Sequence, residues 1–520
     1  RLAATRGDGM RRAWLWMGLA LAASGHAAAP AALYQQHCQS CHGEQRLGGM
    51  APALLPQSLE RSKPAELLAT VRDGRPATQM QGFADRLSAD EIQALVGWLR
   101  TPAATPPRWS EAEMAASHRQ FVPLAQLPDA PGHGADPANL FVVVEAGDHH
   151  VSVLDGERFT VLARFASHYA LHGGPKFSPD GRFVYFASRD GWVSQYDLYS
   201  LQKVAEIRVG LNTRNVAASA DGRWLLAGNT LPENLVLLDA RTLQPVKTLP
   251  ARTQQGQLSR VSAVYDAAPR QSFIVALKDA PELWEISYNP AAEPIYDGYV
   301  HDYAMGEGLA KPGFLNPRRT PLDAVLDDFF FDPDYRHVIG ASRDGRAQVV
   351  NLDIRRQVAA LQLDGMPHLG AGITFKRDGR TLLATPNLKT GQVSVIDTGN
   401  WQEVTRIATP GPGFFLRSHE RTPYAWVDSM MSAQRDTLTL IDKRTLQVAH
   451  TLRPRPGKTT AHVEFTRDGR YALVSVMETP GELLVIDAAT LREVAALPMM
   501  KPIGKYNVHN KVTRSEGTSH

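Results

Sequence analysis

The sequence predicts a mainly β protein: an eight-bladed β-propeller preceded by a small all-α domain. Two observations carry this. From residue 137 onward a turn rich in Asp-Gly, a β run, a second turn and another β run ending near Asp recur eight times. Ahead of that array, residues 30–102 show helical spacing and hold both cysteines of the chain. Repeats of about 40–47 residues made of short alternating strands are the signature of propeller blades.

The amino-terminal residues read as an export signal. Met10-Arg11-Arg12 supplies a basic start, Ala13–Ala23 (AWLWMGLALAA) an apolar run, and Gly25–Ala29 the small residues of a cleavage site. Residues 1–29 are therefore expected to leave the mature chain. That run is too short to span a bilayer comfortably, and no later stretch is a candidate span. A bacterial periplasmic location is expected for a chain exported in this way.

The small domain is organised around Cys38-Gln39-Ser40-Cys41-His42. Cys-x-x-Cys-His is the signature for covalent haem attachment: two thiols add to one edge of a macrocycle and the adjoining imidazole ligates the iron. A redox dithiol or half a zinc site needs no such His, and zinc requires two further ligands nearby. Residues 30–102 are thus expected to be a class I cytochrome c carrying one haem c. Ala31–His37 leads into the motif as a helix. Ser88 and Glu91 form the capping pattern of a second helix, whose apolar residues Ile92, Leu95, Val96 and Leu99 share one face. Between them the polar loop Gly74–Phe83 offers Met80 as sixth ligand, with Met50 as the rival. A thioether there favours Fe(II), which suits an electron acceptor.

Residues 103–136 are rich in Pro and Ala and read as a linker with little secondary structure. The array from 137 to 520 contains clear copies at Ser178–Arg182, Ser219–Arg223, Arg377–Arg380 and Arg467–Arg470, with weaker ones between. One spacing is longer than the rest, and the insertion 291–320 accounts for it. The net charge of +3 is too small to argue for nucleic acid, although it leaves room for a local patch facing a redox partner.

Domain order, blade count and several motifs resemble cytochrome cd1 nitrite reductase and its paralogues over essentially the whole mature chain. Tyr169-Ala170-Leu171-His172, before Phe177-Ser178-Pro179-Asp180-Gly181-Arg182, is similar to the segment that carries the proximal ligand of haem d1. The resemblance implies that His172 is that ligand. Met366–Gly372 is similar to the stretch that supplies one distal histidine; His368 is retained, while Ala371 stands where the reductase has Arg. The region matching a second distal histidine reads Leu326-Asp327-Asp328-Phe329-Phe330 and has no His; the next, His337, lies beyond the following turn. Half of the acid machinery for nitrite is therefore missing.

The pattern better resembles the paralogue that completes haem d1 synthesis by taking two hydrogens from a propionate of the immature macrocycle, with electrons passing to haem c. That resemblance implies haem d1 or dihydro-haem d1 as product and substrate, and transient contact with nitrite reductase and a periplasmic electron acceptor. His368 then reads as a second axial ligand. His462, at the start of the last blade, is the candidate proton acceptor, because histidine titrates near neutral pH. Tyr506, in the tail expected to close the ring, is a candidate for orienting the reacting side chain. Arg214 and Arg260, and behind them Arg189, are candidates to bind the carboxylates of the macrocycle. A nitrite reductase and a non-catalytic carrier of haem d1 are the alternative functions.

Overall fold

In the computed structural model, the described residues are 29–48, 51–59, 62–75, 78–103, 107–171, 173–296 and 310–519. The export signal, Met50, His172 and residues 297–309 of the long insertion lie outside them.

The small domain is helical. Pro30–His37 and Gln39–His42 flank the first cysteine, Pro64–Asp73 follows, and Ala89–Leu99 closes the unit. Ser88 caps the last helix: its hydroxyl accepts from the Glu91 amide while the Glu91 carboxylate accepts from the Ser88 amide. Ile92, Leu95, Val96 and Leu99 bury one face of that helix against Leu33, Tyr34 and Cys38. Arg46, only 4% exposed, donates to the carbonyls of Trp98, Leu99 and Thr101 and so satisfies the end of the same helix.

The remainder forms eight antiparallel sheets. Their inner strands run around the axis in the order Pro502–Asn507, Lys176–Phe177, Asn212–Ala218, Val261–Ala267, Asp328–Phe331, Ile373–Arg377, Leu416–Arg417 and Thr460–Phe465. These define blades one to eight. Blade one is closed by both ends of the chain, since Pro502–Asn507 pairs antiparallel with Leu140–Glu145. This seam removes the exposed sheet edges that an open array would leave. The Asp-Gly turns join inner to second strands on one face of the ring. The helix Val508–Thr513 and its tail cover the channel on that face, beside a cavity of about 620 Å³.

The stretch expected to be a linker with little secondary structure holds a helix and a strand within residues 107–136, and this is a correction. Ser110 caps the helix Glu111–Ser117 through a second Ser-x-x-Glu box. Met114 is buried among residues of blades two and three, and Trp109 donates its indole N–H to the Arg208 carbonyl. Arg119–Gln120 then adds a fifth, outer strand to blade two. The Pro and Ala content concealed a capping box and two anchoring apolar side chains.

The helical domain is docked on the propeller. Ala53 and Leu55 bury themselves against Leu211 and Leu231 of blade three. The Gln79 amide contacts the Ala146 carbonyl and the His149 ring in blade one, and Lys501 donates to the Thr78 carbonyl.

Candidate functional site: two haem positions and a carboxylate-binding arc

The haem-attachment motif is arranged as its chemistry demands. Cys38 sits between the two short helices and Cys41 within the second, and burial pushes the Cys38 thiol up to about 11. His42 is buried, and its Nδ1–H donates to the Pro52 carbonyl at 2.7 Å. That bond selects the tautomer whose Nε2 lone pair is open to a metal. Burial also holds the imidazole below its ordinary pKa, hence neutral. Met80 packs against the helical core that contains Cys38. Its loop is drawn tight by Gly74 at φ +78°, where a Cβ would lie 2.6 Å from the Met80 carbonyl. These residues fit a covalently held haem c.

The second position lies on the propeller face opposite the Asp-Gly turns, where the loops entering the inner strands converge. Two arcs of different chemistry meet there. Blades two to four supply cations. Arg189 is shifted down to about 9 by burial first and then by the neighbouring charges of Arg214 and Arg75. Arg75 belongs to the cytochrome domain, so both domains contribute to this field. Arg214 donates to the Ser262 carbonyl at 2.6 Å. Lys278 is lowered to about 7, mainly by burial and next by Arg214. Clustered cations held in partial burial attract carboxylates.

Arg260 is placed differently from its expected role. It is 4% exposed, and its guanidinium makes a two-pronged pair with Asp279, at 2.9 and 2.6 Å. Its fork is thus engaged within the protein. Lys278 donates its backbone N–H to the Arg260 carbonyl and adds a further cation near Arg214. No motif in the sequence marks Lys278; only its position after the buried strand Ser272–Leu277 gives it away.

Blades six to eight and the closing strand supply aromatic and imidazole rings in series. His368 contacts Phe414 (centroids 4.4 Å apart), Phe414 contacts Phe415 (4.6 Å), Phe415 contacts His462 (4.5 Å) and His462 contacts Tyr506 (5.3 Å). The His368 Nδ1–H donates to the Phe414 carbonyl at 2.8 Å, the arrangement seen at His42, which again leaves Nε2 for a ligand. Burial lowers its pKa and keeps it neutral. Asp428 fixes the two phenylalanines by accepting both of their backbone N–H groups, at 2.9 and 2.8 Å. Burial pushes the Tyr506 hydroxyl up to about 12, so it stays protonated.

His172 itself lies outside the described residues, but its surroundings are well defined. Gly173 and Gly174 both adopt positive φ. A Cβ on the first would meet the Asn215 side chain at 2.4 Å, and one on the second would meet the Tyr506 ring at 3.2 Å. The loop therefore runs against blade three on one side and the aromatic arc on the other. The region expected to lack a second distal histidine does lack one: Asp328 is there, accepting from the Tyr265 hydroxyl at 2.9 Å. His337 is bonded to Asp332 at 2.8 Å, in the Asp-Pro-Asp turn of the other face.

A flat, carboxylate-rich macrocycle suits a pocket with one cationic and one aromatic arc. Comparisons with known proteins agree. The model of the cytochrome D1 heme domain matches residues 135–297 and 310–511, and that of the cbb3-type cytochrome c oxidase subunit III matches residues 25–99. A dihydro-heme d1 dehydrogenase of Pseudomonas aeruginosa is 56% identical over 98% of this chain and 100% of its own length. A nitrite reductase of Stutzerimonas stutzeri is 23% identical over 78% of this chain and 75% of its own. The solved structure of dihydro-heme d1 dehydrogenase NirN in complex with DHE superposes with a TM-score of 0.79, covering 93% of this chain and all of that one. The chain belongs to the cytochrome d1-haem-domain family, on the branch of the dihydro-haem d1 dehydrogenases.

Proposed function

We propose that this protein oxidises dihydro-haem d1 to haem d1 in the periplasm, as the last step of haem d1 synthesis. The observation that carries the reading is the series His368–Phe414–Phe415–His462–Tyr506, which sets a ligand, a proton acceptor and a hydroxyl along one edge of the pocket. The reaction converts –CH₂–CH₂–COO⁻ to –CH=CH–COO⁻, releasing two protons and two electrons. Haem c, held by Cys38, Cys41, His42 and Met80, supplies the one-electron acceptor.

The chain's own residues divide the remaining work. His172 and His368 hold the substrate iron from opposite sides, which closes it to small anions. Arg189, Arg214 and Lys278 fix the carboxylates and so the rotation of the ring in its plane. His462 Nε2 has no hydrogen-bond partner among the described residues and stands next to Tyr506, and it accepts a proton. Tyr506 orients the reacting side chain through its hydroxyl. Nitrite chemistry is disfavoured by Asp328, a carboxylate accepting from the Tyr265 hydroxyl where the reductase places a protonating histidine. Haem c, when attached, would pass its electrons to a periplasmic acceptor, and the product would pass to nitrite reductase.

The test is anaerobic incubation of the purified protein with dihydro-haem d1, followed by extraction of the pigment. Formation of the acrylate supports the reading; His462→Ala should abolish it while substrate still binds. Tight binding with no conversion, even with an added electron acceptor, would leave only a carrier.

A further inference from the structure

Asp328 is held in place more firmly than the distal histidine it stands beside. It is the first residue of the inner strand of blade five, Asp328–Phe331, at the end of the channel nearer the substrate pocket. Its Oδ1 accepts from the Tyr265 hydroxyl at 2.9 Å and from the Phe329 amide at 2.8 Å. Its Oδ2 abuts the distal loop, since a Cβ on Gly370 would lie 2.0 Å from that oxygen. Gly370 belongs to the single turn Leu369–Ala371, which directly follows His368. The loop that carries the distal imidazole therefore runs against this carboxylate, and only glycine leaves room for both.

The neighbouring charges agree with this placement. Burial lowers the His368 imidazole; of the charged groups around it Asp328 acts first, with Arg214 and Arg417 opposing. Lys176 stands over the Tyr265 ring at 5.6 Å and, among the described residues, makes no ion pair with Asp328.

A macrocycle held by imidazoles on both faces enters or leaves only while one of them is withdrawn. His368 sits on a loop ahead of one short turn, whereas Asp328 sits on a sheet strand and is fixed by Tyr265. During entry and release the distal side of the iron is thus open to small solutes, and the group that stays beside it is Asp328. We propose that the Asp328 carboxylate is a specificity-determining group that keeps anions off the iron whenever His368 is not bound to it. This deepens the dehydrogenase reading and rests on its placement of His368. A fixed negative charge in a pocket that excludes much of the water repels nitrite and other anions and leaves neutral ligands untouched. No bond is made or broken in this role.

The test uses His368→Ala loaded with ferric haem d1, whose distal position is then open, with and without Asp328→Asn. Asparagine keeps an oxygen for the Tyr265 hydroxyl and the Phe329 amide and removes the charge. Nitrite and azide serve as anionic probes and imidazole as the neutral one, each followed by spectral titration at fixed ionic strength. The double variant is expected to bind both anions about tenfold more tightly or better than His368→Ala, with imidazole affinity unchanged. The gain should shrink as salt is raised. Unchanged anion affinity, or an equal gain for all three probes, overturns the proposal, because the first means that no electrostatic barrier exists and the second that the obstacle is steric. If His368→Ala takes up no imidazole, the distal-ligand assignment itself fails and the proposal falls with it.

Discussion

Gln79, one residue before Met80, reaches across the domain boundary to the ring of His149 in blade one. His149 in turn packs edge-on against Tyr169, centroids 4.4 Å apart, three residues before His172. The loop that carries Met80 is thereby tied to the segment that leads into His172. Gln79→Ala is expected to slow haem c reduction by bound substrate about threefold to tenfold, roughly the loss of one well-placed hydrogen bond, with substrate affinity unchanged. Stopped-flow spectroscopy of the haem c band under anaerobic conditions measures it.

Lys278→Met separates binding from stability. The amine titrates near 7 in the fold and near 10.4 in an unfolded chain. A group whose folded pKa is lowered costs stability at pH values below its unfolded pKa, where the unfolded chain holds the extra proton. Removing it should therefore raise the Tm of the substrate-free protein more at pH 6 than at pH 10. The same variant should bind dihydro-haem d1 about tenfold more weakly, as one charge-assisted contact is lost.

His368→Ala removes an imidazole whose Nδ1 is already engaged with the Phe414 carbonyl. The expected outcome is a substrate complex with its iron five-coordinate, seen as a change of spin state by electron paramagnetic resonance. Affinity should weaken without disappearing, because the cationic arc and His172 remain.

Gly173→Ala tests the loop that carries His172. The added Cβ would fall 2.4 Å from the Asn215 side chain, and Asn215 cannot yield freely because it bonds the Val264 carbonyl and amide. With the positive φ added, a destabilisation of about 1–3 kcal/mol is expected. Thermal melts and spectral titration should show lower stability together with weaker substrate binding.

Much of this was legible in the sequence. The Cys38–His42 motif, the Asp-Gly turns and the capping box at Ser88 are local signals, and each specifies a local structure that formed. His462 and Tyr506 could be proposed from resemblance, but their ring contact could not, since it exists only once the inner strand of blade one is seated against blade eight. The pairing of Arg260 with Asp279 was hidden for a related reason: two strands must align before a turn carboxylate meets that guanidinium. Lys278 has no motif at all. The ordered segment after residue 107 shows the opposite failure, a local signal at Ser110–Glu113 overlooked beneath a composition that suggested a linker.

The most direct measurement mixes dihydro-haem d1 anaerobically with an excess of oxidised protein, with no other acceptor, and counts reduced haem c per acrylate formed. Two electrons leave each substrate and each haem c takes one, so the account predicts two reduced haem c groups per haem d1 produced. Conversion without haem c reduction, or haem c reduction without the acrylate, would contradict it.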